Sequence, residues 1–166
     1  VTDIDVSSFD TSAVENMYDM FSNTHKLTSL DLSSFDTRNV TDMRGMFKDS
    51  HTLETLNLSN FDTSKVEDMN NMFRDAKSLE NITFGPKFNT SKVISMASMF
   101  NDTPKLKSLD LSNFDTSNVT DMNSMFNYTL SLSSLKFGPN FVTNKVKNML
   151  MMFVGTCSLD SLDLST

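Results

Sequence analysis

The 166-residue chain predicts an α/β fold: a right-handed solenoid of about six strand-turn-helix coils, 26–27 residues each, with a parallel sheet on one face. Three observations carry that expectation. Two phenylalanine series, Phe9, Phe35, Phe61, Phe88, Phe114, Phe141 and Phe21, Phe47, Phe73, Phe100, Phe126, Phe153, run at identical spacings of 26, 26, 27, 26 and 27. Threonine (Thr11 to Thr143), valine (Val14 to Val146) and methionine (Met17 to Met149) columns keep the same step. A period of roughly 20–50 residues is the mark of an array in which each unit buries its apolar face only against its neighbours. Within each unit, the apolar pattern changes from period two to helical spacing.

The elements follow in order from the unit at residues 27–52. Leu30 and Leu32 alternate with Ser29, Asp31 and Ser33, which predicts a short half-buried strand. Val40, Met43, Met46 and Phe47 then fall at i, i+3, i+6 and i+7, one face of a helix. Thr37, three residues before the first of these, is the expected helix N-cap, with a Ser or Asn one residue later as the alternative. Equivalent strands should stack in parallel at about 4.8 Å, with right-handed crossovers and the helices on the opposite side. Phe84-Gly85-Pro86 and Phe137-Gly138-Pro139 carry one extra residue each and read as turns that absorb it. The whole of 1–166 reads as one repeat array, with coils at 1–26, 27–52, 53–78, 79–105, 106–131 and 132–158 and a partial coil at 159–166. Seven strands then bracket six helices. Neither end has a polar cap, so the expectation is a piece of a longer array, with end-to-end self-association as a consequence.

Fourteen basic against 21 acidic side chains give a net charge of -7, which argues against nucleic acid as a partner because phosphate binding draws on Lys and Arg clusters. The same balance argues against a basic membrane anchor, and no apolar run reaches the length of a spanning helix. One cysteine excludes an internal disulfide framework.

Catalytic chemistry is not expected. Twelve of the 13 methionines sit at two recurrent positions, leaving Met151 outside, so they read as core rather than as soft-metal ligands. His25 and His51 share a column and should stack on adjacent coils; two plain loop histidines are the expectation, with a weak metal site or a pH-sensitive pair as the alternative. Cys157 ends that column four coils beyond His51. No serine lies in a G-x-S-x-G turn, and four glycines make no phosphate loop. No catalytic residue, metal or cofactor is therefore assigned.

Two surfaces remain. The outward strand positions are Asp5, Asp31, Asn57, Thr83, Asp110, Lys136 and Asp163, a flat polar face suited to shallow, multivalent recognition. Calcium could bridge its carboxylates, but Asn57, Thr83 and Lys136 interrupt them. The second surface is a candidate apolar contact patch of Tyr128, Leu130, Leu150, Met151 and Val154, where earlier units carry polar residues such as Asn70, Asn71 and Arg74; packing of these residues under a further C-terminal unit or domain is the expectation set against it.

The runs SLDLSSFDTRNVTDMRGMF (29–47) and SLDLSNFDTSNVTDMNSMF (108–126) resemble the BspA-like leucine-rich repeats of surface proteins from lactobacilli, related low-GC bacteria and mycoplasmas. Phe88-Asn89-Thr90, and Phe141-Val142-Thr143 with Lys147, depart from that pattern. The resemblance implies a leucine-rich-repeat-like solenoid and a non-enzymatic, exported module on the bacterial cell surface. It would bind a host or extracellular-matrix protein or glycan through the polar sheet face. The alternative is a structural stalk that presents another domain and binds nothing itself.

Overall fold

A computed structural model describes residues 2–161. Its chain runs in stacked coils, each joined to the next by backbone hydrogen bonds between residues 24 to 27 apart, such as Phe47 N–H to Met72 C=O (2.9 Å). The interior is built from the repeated positions. The second phenylalanine series forms one continuous stack: Phe21, Phe47, Phe73, Phe100, Phe126 and Phe153 lie 5.4–5.9 Å apart, centroid to centroid, with successive rings within 14° of parallel. Around it pack Val40, Val66, Val93 and Val119 and the paired methionines of the middle coils, all fully buried. Each buried side chain of this size contributes about 1.5–3 kcal/mol by leaving water. Phe9, expected inside, is half exposed in the first coil.

The expected α/β strand-turn-helix solenoid, leucine-rich-repeat-like and right-handed, does not form. The described residues contain no helix and only four short strands, in two separate sheets. Strands β1 (Thr55–Leu58) and β2 (Asn81–Phe84) pair in parallel, as do β3 (Ser108–Leu111) and β4 (Ser134–Phe137). There is no single sheet along one face: β2 and β3 touch without pairing. The strand expected around Leu30 and Leu32 is absent too. There, side chains 25 and 28 residues further on take backbone acceptors, Thr52 Oγ1 donating to Leu27 C=O (2.9 Å) and Asn60 Nδ2 to Leu32 C=O (3.0 Å).

The segments read as helices are runs of reverse turns. In the second coil the N–H groups of Met43, Gly45, Phe47 and Asp49 donate to Asp68, Asn70, Met72 and Arg74 of the next coil. The intervening Met46 and Lys48 donate back to Met43 and Gly45. Alternate N–H groups thus point along the stack, where a helix would turn every one back upon itself. Two left-handed residues per coil, four apart, enforce this: Asp19 and Asn23, Gly45 and Asp49, Asn71 and Asp75, Ser98 and Asp102, Ser124 and Tyr128, Met151 and Gly155. A left-handed residue every fourth position is incompatible with a right-handed helix. It still returns the same face to the core about every four residues, which is why Val40, Met43, Met46 and Phe47 are all buried.

The recurrent threonine is likewise not a helix cap. Thr37 Oγ1 donates to Asp62 C=O (2.9 Å) and accepts from Asp62 N–H (2.8 Å), riveting one coil to the next. Thr11, Thr63 and Thr90 make the same reciprocal pair with Asp36, Asn89 and Asp115.

Candidate functional site

The outward strand residues lie where the alternation places them. Asn57 faces out beside Thr83, and Asp110 beside Lys136, with Lys136 Nζ 3.2 Å from Asp110 Oδ2. Asp5 and Asp31 are also exposed, although their segments form no strand; Asp163 lies outside the described residues.

One side-chain oxygen of each acidic or amide residue described on this face is already engaged. Asp5, Asp31, Asn57 and Asp110 each accept the backbone N–H two residues on, from Ser7, Ser33, Ser59 and Ser112, at 2.9–3.1 Å. These are Asx turns that end the segment and reverse the chain. The hydrogen bonds from Ser7 hold the Asp5 carboxyl below its ordinary value, those from Ser33 do so for Asp31, and those from Ser112, with Lys136 behind them, for Asp110.

Lys136 has no side-chain acceptor and Thr83 makes no such bond, and two residues after each stands a glycine. A Cβ on Gly85 or Gly138 would fall 1.9 Å from the carbonyl oxygen of Ser59 or Ser112 in the coil before. Close backbone contact replaces the Asx turn in these coils. The interruptions of the acidic column are thus a second way of making the same corner.

Two further columns of Asx turns run along the array, each in five of the six coils. Asp10, Asp36, Asp62, Asn89 and Asp115 cap Ser12, Arg38, Ser64, Ser91 and Ser117. Asn16, Asp42, Asp68, Asp121 and Asn148 cap Tyr18, Arg44, Asn70, Asn123 and Leu150. Much of the chain's acidity is therefore turn chemistry. Asp68 is the exception in charge: burial pushes its carboxyl above the ordinary value against the pull of the Asn70 N–H and Arg44.

The patch residues Tyr128, Leu130, Leu150, Met151 and Val154 are 42–61% exposed, on the turn segments of the last two coils. Tyr128 (φ 55°) and Met151 (φ 58°) occupy left-handed positions, where other coils carry mainly Asp, Asn, Ser or Gly. A bulky side chain there costs about 1–2 kcal/mol. The sequence offered a signal for this, the Asp/Asn/Gly/Ser content of the two columns four apart, which helical periodicity obscured. The Tyr128 ring lies over Gly155, where a Cβ would fall 2.9 Å from its Cδ1.

On the opposite half of the turn face, Tyr18 carries the Arg44 guanidinium 5.0 Å from its ring centroid, a cation–π contact that sequence reading did not anticipate. A concavity of about 530 Å³ at the sixth coil is lined by Phe137, Phe141, Val142, Thr143, Asn144, Met149, Met152 and Phe153 and contains no titratable side chain.

His25 and His51 do stack, with ring centroids 4.5 Å apart. Among the described residues no group of three or more His, Cys, Asp or Glu is placed to hold a metal ion. Those residues also include no helix long and apolar enough to cross a membrane.

Comparison with curated proteins and with solved structures finds no match. The family described as "Mycoplasma protein of unknown function, DUF285" matches the chain twice, over residues 1–84 and again over 80–165. The two matches cover nearly the whole sequence, each spanning three coils and a little more, and the chain belongs to that family.

Proposed function

We propose that this chain is a non-enzymatic recognition module of the BspA-like surface-repeat kind, acting outside a bacterial cell by binding a host or matrix protein. The observation that carries this reading is the exposed set Tyr128, Leu130, Leu150, Met151 and Val154, of which Tyr128 and Met151 hold left-handed backbone positions that disfavour their side chains. Strain at a surface position that Asn or Gly would relieve is the expected trace of selection for contact. The polar face supports glycan or protein binding less well, because Asp5, Asp31, Asn57 and Asp110 spend an oxygen on their own turns.

The test is a screen of the folded chain, displayed as a multimer, against matrix-protein and glycan arrays. Binding should be saturable and be lost in the double variant Tyr128→Asn, Met151→Gly. It should survive Asp31→Asn with Asp110→Asn, which keep both turns while removing charge. The reverse pattern would move recognition to the polar face. No binding by folded, monodisperse protein would favour a stalk, a reading supported by the unbroken inter-coil bonding, which suits a stiff spacer.

A further inference from the structure

We propose that His25 and His51 together bind one divalent transition-metal ion of the zinc, nickel or copper class on the turn face of the first two coils. Imidazole is the side chain best suited to these ions. The two rings lie 4.5 Å apart at 36°, His25 exposed and His51 partly so, and a turn of the side chains brings a nitrogen of each onto a shared ion.

Their spacing is set by the scaffold. Asn23 N–H donates to Lys48 C=O at 2.9 Å, Thr24 and Ser50 hydroxyls meet at 3.0 Å, and Phe21 stacks on Phe47 beneath them. The backbone entropy of bringing two ligands together from 26 residues apart is therefore already spent in folding.

The adjoining column is acidic and is neutralised by a cation elsewhere. One coil beyond His51, Lys77 occupies the same column position, and its ammonium bonds to both Asp75 (2.9 Å) and Asp102. In the first two coils histidines replace that lysine. Asp49 Oδ1 lies 3.9 Å from His51 Nε2, close enough to balance the charge of an ion held by the imidazoles, though no third His, Cys, Asp or Glu among the described residues is placed to complete a set of ligands with them. Lys48 already shares that carboxylate at 3.6 Å, and Lys26 follows His25, so the site is a two-imidazole one completed by water.

Titration calorimetry with zinc chloride and nickel chloride tests this, using the chain with Cys157→Ser to remove the exposed thiol. One saturable equivalent is expected, at least tenfold weaker in His25→Gln and equally so in His51→Gln. Metal should raise the melting temperature of the parent and of neither variant. Both rings lie outside the buried core, so circular dichroism of the variants should match the parent. Absence of saturable uptake, or uptake unchanged in either variant, overturns the proposal.

Discussion

At their left-handed positions the second and third coils carry Gly45, Asp49, Asn71 and Asp75, while the fifth and sixth carry Ser124, Tyr128, Met151 and Gly155. Beneath these residues the second, third and fifth coils are nearly alike, whereas Val146 and Phe153 of the sixth are only partly buried and Met149 is exposed. Phe47 and Phe73 stack at 5.7 Å, Phe126 and Phe153 at 5.5 Å, and the same N–H groups reach along the stack. Outside they diverge: Arg44, Lys48, Arg74 and Lys77 with their aspartates in one region, Tyr128, Leu130, Leu150 and Val154 in the other. The difference teaches that the interior fixes the coil and leaves the turn residues free to specialise, even where the backbone prefers otherwise.

If the interiors are equivalent, Phe73→Ala and Phe126→Ala should each destabilise by about 3–5 kcal/mol in denaturant unfolding, since both rings are fully buried. A much smaller loss for Phe126→Ala would break the comparison at its base.

Next in size is the threonine rivet. Thr63→Val leaves the N–H and C=O of Asn89 without their partner and should cost about 1–3 kcal/mol.

The turn columns themselves are tested by exchange. Tyr128→Asn should stabilise by about 1 kcal/mol by relieving the left-handed tyrosine, and Asp49→Tyr should destabilise by about 1–2 kcal/mol. Equal and negligible effects would mean that Tyr128 carries no strain.

Smaller effects follow from charge. The carboxyls of Asp31, Asp36 and Asp110 are held below their ordinary value by hydrogen bonds from Ser33, Arg38 and Ser112 respectively. Their contribution is complete above the unfolded value of about 3.9 and is lost as pH falls through the folded values, so the melting temperature should decline below about pH 4. Asp68 has the opposite sign, raised by burial, so its ionised form is penalised in the folded state at neutral pH. Asp68→Asn keeps the turn to Asn70, as Asn16 and Asn148 do in that column, and should leave the melting temperature unchanged or slightly higher at pH 7. A fall of several degrees would show that the contact with Arg44, 3.8 Å away, outweighs burial.

The repeat was legible because burial imposes it: Phe47, Met43 and Val40 must recur wherever a coil packs on a coil. The conformation between them was not legible from apolar spacing, because turns that return to the core every four residues leave nearly the same imprint as a helix. Asp49 and Asn71 carried the discriminating information, as residues that tolerate the left-handed region. Thr37 misled for a related reason, since a hydroxyl that caps a helix and one that bridges two coils look identical in one dimension. On the polar face, Asp31 and Asp110 were correctly placed outward, but their service to Ser33 and Ser112 emerges only from the turn geometry.

The central claim is that the turn segments give their N–H groups to the next coil, and scalar couplings across hydrogen bonds test it most directly. A long-range HNCO experiment should connect the amides of Gly45, Phe47 and Asp49 to the carbonyls of Asn70, Met72 and Arg74. Couplings from Phe47 and Lys48 to the carbonyls four residues earlier, at Met43 and Arg44, would instead establish a helix and contradict the account.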